Sequence, residues 1–108
     1  MNDNLKYQLL NQLEQDPEAS QRAIAKRLGI SLGKTNYCLR AVIDKGWVKA
    51  RSFKNSNKKS AYLYQLTPSG IAAKARITRR FLARKVEEYE RLQEEIQQLR
   101  AEVNDPAR

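Results

Sequence analysis

Between Ser31 and Arg40 the chain reads SLGKTNYCLR, and its hydrogen-bonding side chains recur at helical spacing. Wound as a helix, Gly33, Asn36, Tyr37 and Arg40 share one face with Lys34 beside them. Thr35, Cys38, Leu39 and Val42 fall at i, i+3, i+4 and i+7, the spacing of a core face. The first face offers two cations, an amide, a phenol and almost nothing apolar, with Ser31 at its start. Such a set does not make or break bonds; it donates hydrogen bonds and positive charge. It would suit an anionic polymer whose edges carry acceptors, and otherwise it is the solvated side of an ordinary helix.

A second polar cluster lies in KARSFKNSNKKSAY, Lys49 to Tyr62, where Arg51, Lys54, Asn57, Lys58 and Lys59 interleave with Ser and Asn. Alone, a charge run is usually a solvated loop. The charge of the whole chain is uneven, however. Residues 1–30 carry four basic and four acidic groups; residues 31–60 carry eight and one. Residues 61–86 carry six and none, and residues 87–108 three and seven. The excess positive charge behind the chain's net +9 thus sits in its middle, which favours an acidic partner such as nucleic acid or an anionic membrane surface.

The composition also limits the chemistry. The sequence has no His and one Cys, Cys38. It can build no intrachain disulfide and offers no familiar metal-ligand set, so neither a metal nor another cofactor is expected. No paired acids stand near a nucleophile, which argues against an enzyme. No run of about 18 apolar residues occurs, so no membrane partner is expected and the reading is a cytoplasmic protein. Cys38 reads as a small buried hydrophobe in preference to a redox sensor, and Trp47 as a core plug.

The elements that would position these residues follow from caps and periodicity. Leu5, Leu9, Leu10 and Leu13 make an apolar stripe over Asn4 to Glu14, capped by Asp3 or Asn4 and ended by Asp16-Pro17. Ser20 caps a second helix that Gly29 stops; Ser31 caps a third that Gly46 stops. Two helices around a short Gly-containing turn are a helix-turn-helix. Trp47 to Phe53 and Tyr62 to Leu66 then read as strands of a hairpin whose tip is the basic loop. Tyr62 and Tyr64 read as sheet packing. Three helices followed by a basic hairpin make a winged helix, with the third helix for base edges and the wing for phosphates.

From Thr67 or Ser69 a long helix is expected, running to about Val103. Ala75, Leu82, Tyr89, Ile96 and Val103 are spaced by seven, with Ile71, Thr78, Lys85, Leu92 and Leu99 as their d partners. Such a seam cannot be buried by a small domain and implies a partner helix. Its first half holds Lys74, Arg76, Arg79, Arg80, Arg84 and Lys85, and its second Glu87, Glu88, Glu90, Glu94 and Glu95. Opposing basic to acidic halves favours an antiparallel coiled coil in a homodimer, with Leu82, Tyr89, Leu92, Ile96, Leu99 and Val103 at the dimerisation seam.

SQRAIAKRLGIS, the helix ending IDKGWV, and YLYQLTPSG together resemble the MarR (multiple-antibiotic-resistance regulator) family of winged-helix transcription factors. Leu66, Thr67 and Gly70 match that family's LT-x-x-G. RFLARKVEEYERLQEEIQQLRAE is similar to its short subgroup associated with bacterial exopolysaccharide gene clusters. The resemblance implies a homodimer on a palindromic operator in double-stranded DNA. By position it assigns DNA contact to Ser31, Gly33, Lys34, Asn36, Tyr37 and Arg40, and to Arg51, Lys54, Lys58 and Lys59 of the wing. Full-length family members often respond to a small effector bound between lobe and dimerisation helices; the shortness of this chain leaves the effector open.

The expected fold class is therefore mainly α with a small β-hairpin (α+β). Residues 1–68 form a winged helix-turn-helix domain, 69–104 a C-terminal dimerisation helix (coiled coil), and 105–108 a frayed tail. The expected function is sequence-specific transcriptional regulation. The alternatives are a sequence-independent architectural protein coating nucleic acid and a coiled-coil interaction adaptor.

Overall fold

The computed structural model describes residues 1–54 and 60–105, with Ser60 as backbone only. Asn57, Lys58 and Lys59 of the expected wing, and residues 106–108 of the expected tail, lie outside the described residues. The described elements run α1 (Asp3–Gln15), α2 (Gln21–Leu28), α3 (Leu32–Asp44), β1 (Val48–Lys54), β2 (Ser60–Leu66) and α4 (Pro68–Asn104). This is the α+β winged-helix order expected from the sequence.

Each helix starts where a short polar side chain can accept an orphan backbone N–H. Ser20 Oγ accepts from Ala23 N at 3.1 Å and Ser31 Oγ from Lys34 N at 3.0 Å. Thr67 Oγ1 accepts from Gly70 N at 3.1 Å, with Pro68 at the first turn. Among the helix caps, the expectation is corrected at α1. Asn2, not Asp3 or Asn4, is the cap, its Oδ1 accepting from Leu5 N at 2.8 Å. Moving the cap one residue upstream releases the Asp3 carboxylate for a different partner.

Both helices of the helix-turn-helix close in the same way. Gly29 and Gly46 take φ of +67° and +75°, a left-handed conformation that glycine adopts without a Cβ clash. The N–H groups beyond them turn back, Ile30 N to Ala25 O at 3.1 Å and Trp47 N to Val42 O at 3.0 Å. The second closure launches β1 directly from α3. The strands pair antiparallel from Val48↔Leu66 to Lys54↔Ser60. Tyr64 N also donates to Pro17 O at 2.9 Å, tying the outer side of β2 to the α1–α2 turn.

The core is built from one face of every element: Leu9, Leu10 and Leu13; Ile24; Cys38, Leu39 and Val42; Val48; Tyr64; Ile77. Cys38 is buried there as a small apolar group, and Trp47 is half-buried against the core edge with Lys45 Nζ 4.6 Å from its ring centroid. Tyr62 departs from the packing expectation. Tyr64 is buried, whereas Tyr62 is exposed and stacks on Tyr64 at a centroid distance of 6.1 Å.

The N-terminal third of α4 belongs to this packing. Ala73 and Ile77 are buried, and Phe81 stacks on Tyr7 at 5.3 Å. Gly70 is where α4 passes the α3–β1 junction. A Cβ there would lie 1.9 Å from the Trp47 carbonyl oxygen. Ser69 Oγ donates to the Gly46 carbonyl at 2.9 Å, and Thr67 Oγ1 donates to the same oxygen. The T-P-S-G run is thus a clasp that holds the end of the hairpin, the end of α3 and the start of α4 in one place. Beyond Phe81 every described residue of α4 is exposed, and the molecule measures 71 × 28 × 21 Å.

Candidate nucleic-acid interface

The burial of α3 divides its residues as the spacing requires. Thr35, Cys38, Leu39 and Val42 are buried, with Thr35 Oγ1 donating to Ser31 O at 2.9 Å. Gly33, Lys34, Tyr37 and Arg40 are exposed, and Tyr37 shows 69 % of its surface. A large aromatic ring so exposed offers its apolar body and its hydroxyl to solvent or to a partner. Ser31 is at the start of the same helix, but its oxygen already holds the cap.

Gly33 is informative for the opposite reason to Gly70. It stands in the first turn of α3, one residue after Leu32, where glycine still loses more backbone entropy on folding than alanine. Its φ is not positive, and a Cβ there would meet nothing within 4 Å. Packing within the described residues gives no reason for glycine at this position.

Asn36 is half-buried and not simply displayed. Its Nδ2 donates to Gln21 Oε1 at 3.2 Å, and Gln21 Nε2 donates to the Tyr64 hydroxyl at 3.3 Å. One glutamine on α2 therefore touches both the polar face of α3 and the second strand of the hairpin. Gln21 was missed from sequence. A glutamine at the first position of a helix gives no local signal, and its partners lie 15 and 43 residues away. This chain fixes the amide of Asn36 and sets α3 and the hairpin in a common frame.

On the hairpin, Arg51 and Lys54 are exposed, as is Lys49. None of these has an ion pair among the described residues. The structure therefore brings Gly33, Lys34, Asn36, Tyr37 and Arg40 onto one helix face and Arg51 and Lys54 onto the adjoining hairpin.

The other end of the lobe carries opposite charge pairing. Asp3 is flanked by Arg80, whose Nε donates at 3.0 Å, and by Arg84. The Arg80 hydrogen bond leads in holding the Asp3 carboxyl down at about 2, against an opposing desolvation effect and with further help from Arg84. Lys74 Nζ reaches Glu14 at 3.0 Å and Asn11 at 3.2 Å. Three cations of the basic half of α4 are therefore committed to α1, within the chain.

The seam residues Leu82, Tyr89, Leu92, Ile96, Leu99 and Val103 are all exposed, and Val86 joins them between Leu82 and Tyr89. No helix among the described residues is long and apolar enough to cross a membrane.

Residues 2–49 match the family model described as winged helix-turn-helix DNA-binding. No curated protein matches the chain. Several solved structures share its fold. The DNA complex of MepR from Staphylococcus aureus is 22 % identical with a TM-score of 0.67, over 96 % of this chain and 76 % of that one. The transcriptional repressor CouR bound to a 23-mer DNA duplex is 22 % identical with a TM-score of 0.62, over 94 % and 72 %. The MarR-family protein Rv2887 of Mycobacterium tuberculosis, complexed with salicylic acid, is 24 % identical with a TM-score of 0.53, over 84 % and 74 %. The chain has the winged-helix fold of DNA-binding transcription regulators, the fold that the sequence resemblance implies.

Proposed function

We propose that this protein is a MarR-type regulator of transcription that reads specific double-stranded DNA as a homodimer. The observation that carries the reading is the outer face of α3, where Lys34, Asn36, Tyr37 and Arg40 stand beside a glycine that no internal packing requires. A major groove admits a helix and presents acceptors that such a face can address. Asn36 would pair with adenine through its amide, while Lys34 and Arg40 reach phosphate or guanine. Gly33 lets the backbone approach closely, Tyr37 meets phosphate or a thymine methyl group, and the Ser31 hydroxyl, with its proton still to give, meets phosphate. Arg51 and Lys54 would track the duplex backbone, joined on sequence grounds by Asn57, Lys58 and Lys59; such contacts add affinity more than selectivity.

Two copies are needed to read a palindrome, and the exposed seam of α4 is the surface that fits a second copy. In a dimer the two α3 helices enter successive major grooves about one helical turn, roughly 34–36 Å, apart. Binding there would exclude or recruit other proteins at a promoter. The DNA complexes of MepR and CouR support DNA binding by this fold. Resemblance to the exopolysaccharide-associated subgroup makes exopolysaccharide genes the first place to seek an operator.

The test is a titration against fragments upstream of the protein's own gene cluster, with excess nonspecific duplex, at several salt concentrations. Retention of one fragment with a preference of roughly a thousandfold or more is expected. The net charge of +9 supports a second reading, sequence-independent coating of nucleic acid. Equal loss from every fragment on adding competitor would establish that one. Absence of binding at low salt would discard both and leave the coil as a docking element for other proteins.

A further inference from the structure

We propose that α4 zips with a second copy of this chain as a parallel, in-register pair of helices over Tyr89 to Val103. This deepens the dimeric reading above and rests on it. Tyr89, Leu92, Ile96, Leu99 and Val103 recur at alternating intervals of three and four on one continuous helix, and each is between 39 and 77 % exposed. In heptad terms Tyr89, Ile96 and Val103 take the a positions, and Leu92 and Leu99 the d positions. Ile96 and Val103 at a with Leu92 and Leu99 at d give, in those layers, the β-branched-a, leucine-d combination that favours two parallel strands, and Tyr89 closes the seam at its N-terminal a position. Lys85 occupies the preceding d position and pairs with Glu88 on its own helix at 3.2 Å, which bounds the seam on its N-terminal side.

The residues flanking the seam set the orientation. Glu88, Glu95 and Glu102 lie along one flank (g), and Gln93 and Arg100 along the other (e). In a parallel pair each g residue faces the e residue five places further on in the second copy. Glu95 then meets Arg100 of the second copy, twice per dimer, and Glu88 meets Gln93. In an antiparallel pair g faces g, so Glu88, Glu95 and Glu102 of one copy would line up with the same glutamates of the other. The antiparallel expectation from the sequence rested on opposing the basic half of α4 to its acidic half. Lys74, Arg80 and Arg84 of that basic half are instead paired with Glu14 and Asp3 of α1. Charge complementarity at the seam itself therefore selects the parallel arrangement. A seam of five layers is short, so the dimer assembles in a concentration-dependent way.

The experiment uses the full chain. Leu92→Cys and Leu99→Cys are made separately and oxidised gently; Cys38 is buried and stays as it is. In a parallel pair both variants form interchain disulfides. In an antiparallel pair a residue meets its own copy only at the midpoint. Positions seven residues, about 10 Å, apart along a helix cannot both lie there. In parallel, Glu95→Arg is compared with Glu95→Arg/Arg100→Glu by sedimentation. The single change is expected to weaken dimerisation by roughly tenfold and the double change to restore it. Cross-linking of only one cysteine variant, or a tighter dimer in Glu95→Arg, overturns the orientation and leaves the dimeric reading standing. A monomer at every concentration overturns both, and DNA titration of the same samples shows whether the DNA-binding reading survives.

Discussion

Asn36 is held by Gln21, and Gln21 by Tyr64, so in the proposed complex its amide would meet a base edge already oriented. Asn36→Ala is expected to relax preference at one base pair per half-site, at about 1–3 kcal/mol. Competition binding with operators altered one position at a time checks this; an equal loss on all sequences would refute the base-reading role. Arg51→Ala should weaken every sequence alike and lower the salt slope by about one. Gly33→Ala separates folding from binding. With nothing within 4 Å of the added methyl, thermal unfolding should show a gain of about 0.5–1 kcal/mol. DNA affinity should fall in the same variant, because in the proposed complex the methyl group would stand where the backbone approaches the groove.

Asp3 gives the residue scale a pH dependence with a definite sign. Its carboxyl titrates at about 2 in the folded chain, below its ordinary value of 3.8, because Arg80 and Arg84 favour the charged form. The stabilisation is therefore complete above pH about 4 and fades as pH falls through about 2. Asp3→Asn should unfold more easily than the parent at neutral pH, and the difference should vanish on acidification. Chemical denaturation at pH 7 and pH 2 measures both arms.

At the scale of elements, the clasp between α3, the hairpin and α4 leaves no room for a side chain at Gly70. Backbone of Trp47 lies where a Cβ on Gly70 would be, and backbone cannot rotate away as a side chain can. Gly70→Ala should therefore cost on the order of 1–3 kcal/mol, the usual range for overpacking. Ser69→Ala, which removes the hydrogen bond to the Gly46 carbonyl at 2.9 Å and the 3.1 Å contact with Thr67 Oγ1 but adds no atom, should cost roughly 1 kcal/mol. Melting both variants ranks the two effects; a Gly70→Ala protein as stable as the parent would mean that α4 can lift from the junction.

At the scale of the whole molecule, positive charge is concentrated in the lobe and the C-terminal end of α4 is acidic. Binding to any duplex should weaken steeply with salt, while a specific site keeps its advantage over nonspecific DNA. In the proposed complex the same division would keep the acidic end of α4 away from the duplex. The lobe and the seam answer to different forces, and a seam variant such as Glu95→Arg should leave the stability of the lobe unchanged.

Local physics fixed much of this before any tertiary contact. Ser20, Ser31 and Thr67 cap their own helices, Gly29 and Gly46 end theirs, and the spacing of Thr35, Cys38, Leu39 and Val42 assigns the faces of α3; each depends on neighbours within a turn or two. The polar outer face of α3 and the apolar seam of α4 were legible for the same reason. Tertiary structure alone decided which polar groups are already engaged. It placed Gln21 between Asn36 and Tyr64, turned Tyr62 outward, moved the α1 cap to Asn2 and gave Asp3 to two arginines about 80 residues away in the chain. It also tied three of the six cations in the basic half of α4 to α1. Periodicity tells which face a residue occupies, but whether its charge is spent is a matter of distances between segments remote in sequence.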